Sequence, residues 1–257
     1  MSELTDRAIA ALRANHDALA AVVPELTAQQ LTGRSGAAEW SVAQVLSHLG
    51  SGAEIARKPI ATAAGEQVES EDNKEIWARW DGSSPAQQAA GYVEHDPAYL
   101  DTVEGLSPEQ RDSLRVDLGF LPEPVPLEVA LGMRLNEVAN HAWDVHVGLD
   151  PQAEIDSETA GVLVELFTGP LAFLLGFTAK PDLLDGEVRL AVPGGALEIT
   201  EKIVVSGSVA DPTATLVGPQ GAVVRLISGR LTPEHSEGVA VTGDVSLDDL
   251  RQVFPGY

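Results

Sequence analysis

Arg134, Glu137, His141 and Asp144 follow one another at spacings of three, four and three in the stretch RLNEVANHAWD, and Gly148 stands four further on. On a helix these spacings place all of them along one longitudinal seam. Leu131, Leu135, Val138, Ala142 and Val145 flank it on both sides, so the seam is expected to face inward. A buried row of ionisable groups costs on the order of several kcal/mol per unpaired ion unless something neutralises it. One reading is a closed ion network, with Arg134 paired to Glu137 or Asp144 and His141 completing it. The other is a metal site, in which Glu137 and His141, one helical turn apart, offer an oxygen and a nitrogen donor to the same ion.

A second histidine bears on the choice. His48 falls among Val42, Val45, Leu46 and Leu49, on the apolar side of a separate helix. Alone it reads as a satisfied core histidine. Together, His48, Glu137 and His141 make two imidazoles and a carboxylate from facing helices, a set suited to zinc or a related divalent ion. Three protein ligands leave a position open, which is the pattern of a catalytic rather than a structural metal. His16, His95 and His146 have no comparable setting and read as surface or structural histidines.

The elements that must position these groups are legible in part. Leu4, Ala8, Leu12, Leu19 and Val22 recur at near-helical spacing, and Pro24 closes this first helix. Ser41 and Gln44 form a capping-box pair at the start of the helix carrying His48, with Trp40 placed to staple onto Val45. Residues Asn73 to Glu104 hold two helical pieces, parted near Gly82 to Pro85 and open to a further break at Pro97. Pro108, Pro122, Pro124 and Pro126 punctuate a connection that cannot be regular helix, and the Glu137 helix then runs from Leu127 to Leu149. Four such helices predict a bundle. A bridging helix over about Ser157 to Leu175 follows. Beyond it EVRLAV, GALEITEKIVVSGS, TATLVG, AVVRLISGR and VAVTGD read as strands and turns, and SLDDLRQVF as a short capped helix. The expected architecture is therefore α followed by α+β: a helical bundle with its bridging helix over residues 1–180, and a small α+β domain over 181–257.

Composition excludes several functions. Sixteen basic against thirty-nine acidic residues leave a net charge of −23, which opposes binding to nucleic acid or anionic membrane. With 44% hydrophobic and 21% charged residues the composition is that of a soluble globular protein. The amino-terminal segment carries Glu3, Asp6, Arg13 and Asp17 rather than a signal peptide's apolar core, so a cytoplasmic protein is expected. There is no cysteine. Disulfides and a cysteine nucleophile are excluded, and any thiol chemistry must arrive on a cofactor. Glycine-rich phosphate loops and a serine nucleophile elbow do not occur either.

The stretch EWSVAQVLSHLG resembles the tryptophan-containing motif that opens the second helix of DinB-like metal-binding four-helix bundles and ends in a ligand histidine. RLNEVANHAWDVHVGLD is similar to the motif bearing the other two ligands in the mycothiol-dependent maleylpyruvate isomerase family, and IVVSGSVADPTATLVG, LISGRL and VAVTGD resemble that family's sterol-carrier-like carboxy-terminal domain. The resemblance implies His48, Glu137 and His141 as zinc ligands. Asp144 then supports a ligand histidine through its free N–H or stabilises the helix, and Arg134, beside it on the seam, is expected to support the ligands as well. It further implies Arg230, from LISGR, as a catalytic arginine whose guanidinium could hold a carboxylate in two parallel hydrogen bonds; a plain arginine ending a strand is its other reading. Mycothiol is the implied cofactor, adding as thiolate to a small electrophilic, unsaturated acid that is then isomerised or retained as a transfer product. Zinc-bound water acting in a hydrolase or hydratase, or a non-catalytic small-ligand-binding protein, are the rival readings. Monomer and homodimer are both compatible with the sequence. Two segments depart from the family pattern: VGPQGAVVR, and the acidic run from Gly65 to Lys74.

Overall fold

The computed structural model describes residues 2–68 and 71–256; Glu69 and Ser70 of the acidic run lie outside the described residues. The chain divides into two compact units, Met1–Pro151 and Gln152–Tyr257.

The first unit is built on helices α1 (Ser2–Val22), α2 (Ala28–Leu31), α3 (Val42–Ala63), α4 (Asn73–Asp81), α5 (Pro85–Glu104), α6 (Pro108–Ser113) and α7 (Leu127–Leu149). The four long ones close a cycle of packed pairs, α1 on α7, α7 on α3, α3 on α5 and α5 on α1, which is a four-helix bundle. Local chemistry sets the starts. Ser41 accepts from the Gln44 N–H while the Gln44 side chain accepts from the Ser41 N–H, and Ser84 with Gln87 does the same for α5. Pro24 ends α1 through a short 3-10 turn over Val23–Glu25. The break contemplated at Pro97 does not form: α5 runs through it. The backbone hydrogen bond that proline forfeits is outweighed by what this part of α5 buries, with Tyr92, Asp96, Tyr99 and Leu100 all sunk in the bundle. In the proline-rich connection, β1 (Arg115–Val116) and β2 (Val125–Pro126) pair as a small antiparallel ribbon.

The second unit begins with α8 (Ser157–Thr168), capped by Asp156, and a short α9 (Leu175–Thr178). Strands β3 (Val188–Val192), β4 (Gly195–Ile199), β5 (Ile203–Ser206), β6 (Ala214–Val217) and β7 (Ala240–Gly243) form one sheet in the order β5-β4-β3-β6-β7, with β3 and β6 parallel and every other pair antiparallel. Helices α10 (Gly221–Ile227) and α11 (Leu247–Val253) complete it.

Two expectations are corrected. The boundary expected after residue 180 falls at Pro151, because the bridging helix α8 packs on α10 and β5 and so belongs to the second unit. The run AVVRLISGR, expected as a strand, forms α10 and its exit turn. Its β-branched residues Val223, Val224 and Ile227 are buried, and the fully buried Arg225 is held by both carboxylate oxygens of Glu154 at 2.7 Å. Packing overrides β-propensity here, as it can in any short apolar run without a decisive period. Gly221 is needed where α10 starts, since a Cβ there would lie 2.5 Å from the Ile155 carbonyl oxygen. No single helix among the described residues is long and apolar enough to cross a membrane.

Candidate metal centre

His48 is delivered by α3, and Glu137 and His141 by α7, which packs against it. The Glu137 Oε2 atom lies 3.1 Å from His48 Nε2 and 3.6 Å from His141 Nε2. One potential ligand atom from each of the three residues lies within 4.8 Å of the others. Two donors held at about 2.05 Å by a tetrahedral zinc stand roughly 3.3 Å apart, so the two distances bracket the spacing such an ion would impose. The donor set therefore fits a divalent ion, with one carboxylate and two imidazoles turned toward a common point.

Asp144 is fully buried, and its Oδ2 is 2.8 Å from His141 Nδ1. A carboxylate accepts, so His141 Nδ1 donates to Asp144, which leaves Nε2 as the ring atom turned toward Glu137. Burial alone would push the Glu137 carboxyl up, but hydrogen bonds and charge from His141 and His48 hold it well below the usual carboxylate range. It stands as an anion, the form a cation needs.

The loop before α3 is fastened next to this cluster. Gly36 donates its N–H to the Asp144 carbonyl at 2.8 Å, and a Cβ at Gly36 would lie 2.7 Å from Asp144 Oδ1 and 2.8 Å from the Trp143 ring. Gly148 serves the same approach from the other side, since a Cβ there would meet the Arg34 carbonyl oxygen at 2.5 Å. Its place on the seam is thus explained by backbone contact. Trp40, at the end of this loop, packs its ring on His48 at 5.0 Å and on His141 at 5.7 Å between centroids.

Of the residues singled out from the sequence, His48, Glu137, His141 and Asp144 come together. Arg134 does not join them. Its guanidinium, buried one turn earlier on α7, donates to Asp96 Oδ1 at 3.1 Å and to the Leu49 carbonyl at 2.8 Å, over the Tyr99 ring. This corrects both the pairing of Arg134 with Glu137 or Asp144 and its placement in direct support of the ligands, although the Leu49 contact ties α7 to the residue after His48. Asp96 in turn holds His16 Nδ1 at 2.8 Å, so a buried triad of His16, Asp96 and Arg134 links α1, α5 and α7. Gly52 makes room for it, as a Cβ would meet Arg134 Nη1 at 2.7 Å. Sequence reading missed Trp40, Gly36 and Asp96 in these roles; the signal available for Trp40 was its position just ahead of the cap of the His48 helix. His95 lies 3.5 Å from Glu54, and burial pushes the His146 imidazole down.

Arg230 belongs to the second unit, where it is half-buried and follows α10 rather than a strand. Its N–H donates to the Arg225 carbonyl at 2.7 Å and its Nη1 to the Ser228 carbonyl at 3.3 Å.

Comparison with known proteins bears on the whole arrangement. The family described as the mycothiol maleylpyruvate isomerase N-terminal domain matches residues 12–146, which contain all three candidate ligands. Two uncharacterized proteins of Mycobacterium tuberculosis are each 30% identical over 144 residues, covering 56% of this chain and 68% of the relative. Crystal structures of the mycothiol-dependent maleylpyruvate isomerase, and of a histidine-to-alanine variant of it, align over 98% of this chain and 97% of theirs, with a TM-score of 0.61 at 18% identity. The likeness to those structures is one of fold, a helical bundle and a sheet-containing domain. With more than half of its length matched by the family's amino-terminal domain, and the ligand helices inside that match, the chain belongs to the mycothiol maleylpyruvate isomerase family.

Proposed function

We propose that this protein is a zinc-dependent, mycothiol-using isomerase acting on a small, unsaturated, acidic electrophile of the maleylpyruvate class. The observation that carries the reading is the convergence of His48 Nε2, Glu137 Oε2 and His141 on one point, in a chain of this family. His48, Glu137 and His141 would hold the ion, and Asp144 keeps the His141 lone pair aimed at it. Three protein donors leave a coordination position for a further ligand. Held by these residues, zinc would supply Lewis acidity that favours the thiolate form of a thiol at neutral pH, and mycothiol is the thiol that the family's name specifies. The chain has no cysteine of its own to compete for that position. To Arg230 we assign, from the resemblance of its segment, the holding of a substrate carboxylate by a two-pronged guanidinium hydrogen bond. We further read the enzyme as cytoplasmic, where thiols are kept reduced, and as a monomer or homodimer that engages neither nucleic acid nor membrane.

The test is turnover of a cis-unsaturated keto acid by the zinc-loaded protein with and without mycothiol. Conversion to the trans acid is expected only when the thiol is added. Undiminished conversion in its absence would overturn the thiol mechanism.

A further inference from the structure

The two imidazoles of the metal cluster are supported unequally. His141 is fixed at both ring nitrogens, with Nδ1 on the buried Asp144 and Nε2 toward Glu137. His48 has its hydrogen bond to Glu137 through Nε2 at 3.1 Å, and among the described residues its Nδ1 has no protein partner. A metal-binding histidine whose outer nitrogen is unheld leaves its ring free to rotate away, and losing such outer support typically weakens metal binding ~10–100-fold. Something other than a hydrogen bond must set the His48 ring.

Trp40 lies against it. The two ring centroids are 5.0 Å apart with planes inclined at 46°, and the same indole stacks on His141 at 5.7 Å and 27°. The imidazoles meet edge to face at 4.7 Å, so the three rings form one cluster. Offset and edge contacts in this range are attractive for aromatic pairs. The Trp40 backbone is itself pinned. Its N–H donates to the Ala37 carbonyl at 3.1 Å, and its carbonyl accepts from the Ser35 N–H at 3.3 Å and the Ser35 hydroxyl at 2.7 Å. The residue is nevertheless 37% exposed, which is a poor use of a tryptophan if its purpose were only to fill the core.

We propose that Trp40 is the positioning residue for His48, doing by ring packing what Asp144 does for His141 by a hydrogen bond. The proposal rests on the zinc reading above. It assigns to the tryptophan of the EWS stretch a part in metal affinity and geometry rather than in fold stability.

The experiment measures zinc affinity by competition with a chromophoric chelator for the wild-type protein, Trp40→Phe and Trp40→Ala. It also records the visible absorption of each protein loaded with cobalt(II), and the thermal midpoint of each in metal-free form. Trp40→Ala is expected to bind zinc roughly tenfold more weakly and to show an altered cobalt spectrum, with its metal-free midpoint close to that of the wild type. Trp40→Phe, which keeps an aromatic face on His48, should recover most of the affinity and the wild-type spectrum. Wild-type affinity and spectrum in Trp40→Ala would overturn the proposal, as would a loss of affinity accompanied by an equal loss in Trp40→Phe or by a fall in metal-free stability. Failure of the wild-type protein to bind zinc at all would overturn the zinc reading itself, and this proposal with it.

Discussion

Two clusters on α7 join a histidine to a carboxylate, and they differ in what balances the carboxylate's charge. At Asp96 the balance comes from Arg134, 3.1 Å away, with His16 at 2.8 Å on the other oxygen, and all three side chains are less than a tenth exposed. At Glu137, among the described residues, the ion-pair partners of Oε2 are two imidazoles, at 3.1 and 3.6 Å, and the side chain is about a third exposed. A guanidinium is a permanent cation, so the first cluster is electrically complete. In the second, two imidazoles and a carboxylate face one point with no guanidinium or ammonium beside them among the described residues, the setting that the proposed metal would complete. Side chains of similar type within one bundle thus serve cohesion in one place and, in the proposed function, binding in the other.

That contrast can be broken by exchanging the roles. The largest effect on the fold should come from Asp96→Ala, which strands Arg134 as a buried unpaired cation and costs about 3–5 kcal/mol, read from denaturant unfolding. Under conditions where it remains folded, its zinc content should match that of the wild type. Loss of zinc without loss of stability would show that the triad belongs to the metal site after all. Asp144→Ala should behave the opposite way, lowering zinc affinity ~10–100-fold. Asp144→Asn, which keeps an oxygen for the His141 N–H, should lose less. A zinc affinity unmoved by either substitution would remove Asp144 from the site.

How much of this was legible in the sequence depended on how local the determining contact is. The capping pair of Ser41 and Gln44, three positions apart, appears as read, and the structure adds an equivalent pair at Ser84 and Gln87. The seam of Glu137, His141 and Asp144 was readable because helical geometry alone puts these residues on one side, and His48 because it stands among apolar neighbours at helical spacing. Arg134 lies on the same seam, but its partner Asp96 is contributed by α5, next to Pro97, a residue type that by itself predicts a helix break. Nothing in the spacing could choose between Asp96 and the nearer carboxylates. The strand expected at AVVRLISGR failed for the same reason. The bidentate Glu154 contact to Arg225 and the close approach of Gly221 to Ile155 are tertiary, and they decide that the segment is helical. The boundary moved to Pro151 because the partners of α8, namely α10 and β5, come later in the chain.

In the proposed function His48, Glu137 and His141 hold a catalytic divalent ion. The most direct measurement is the metal content of purified wild-type protein beside His141→Ala, with circular dichroism to confirm that the variant keeps its helices. About one zinc per chain is expected in the wild type, and a content near zero, with turnover lost, in the folded variant. A His141→Ala protein that retains its zinc, or a metal-free wild type that turns over at full rate, would contradict it.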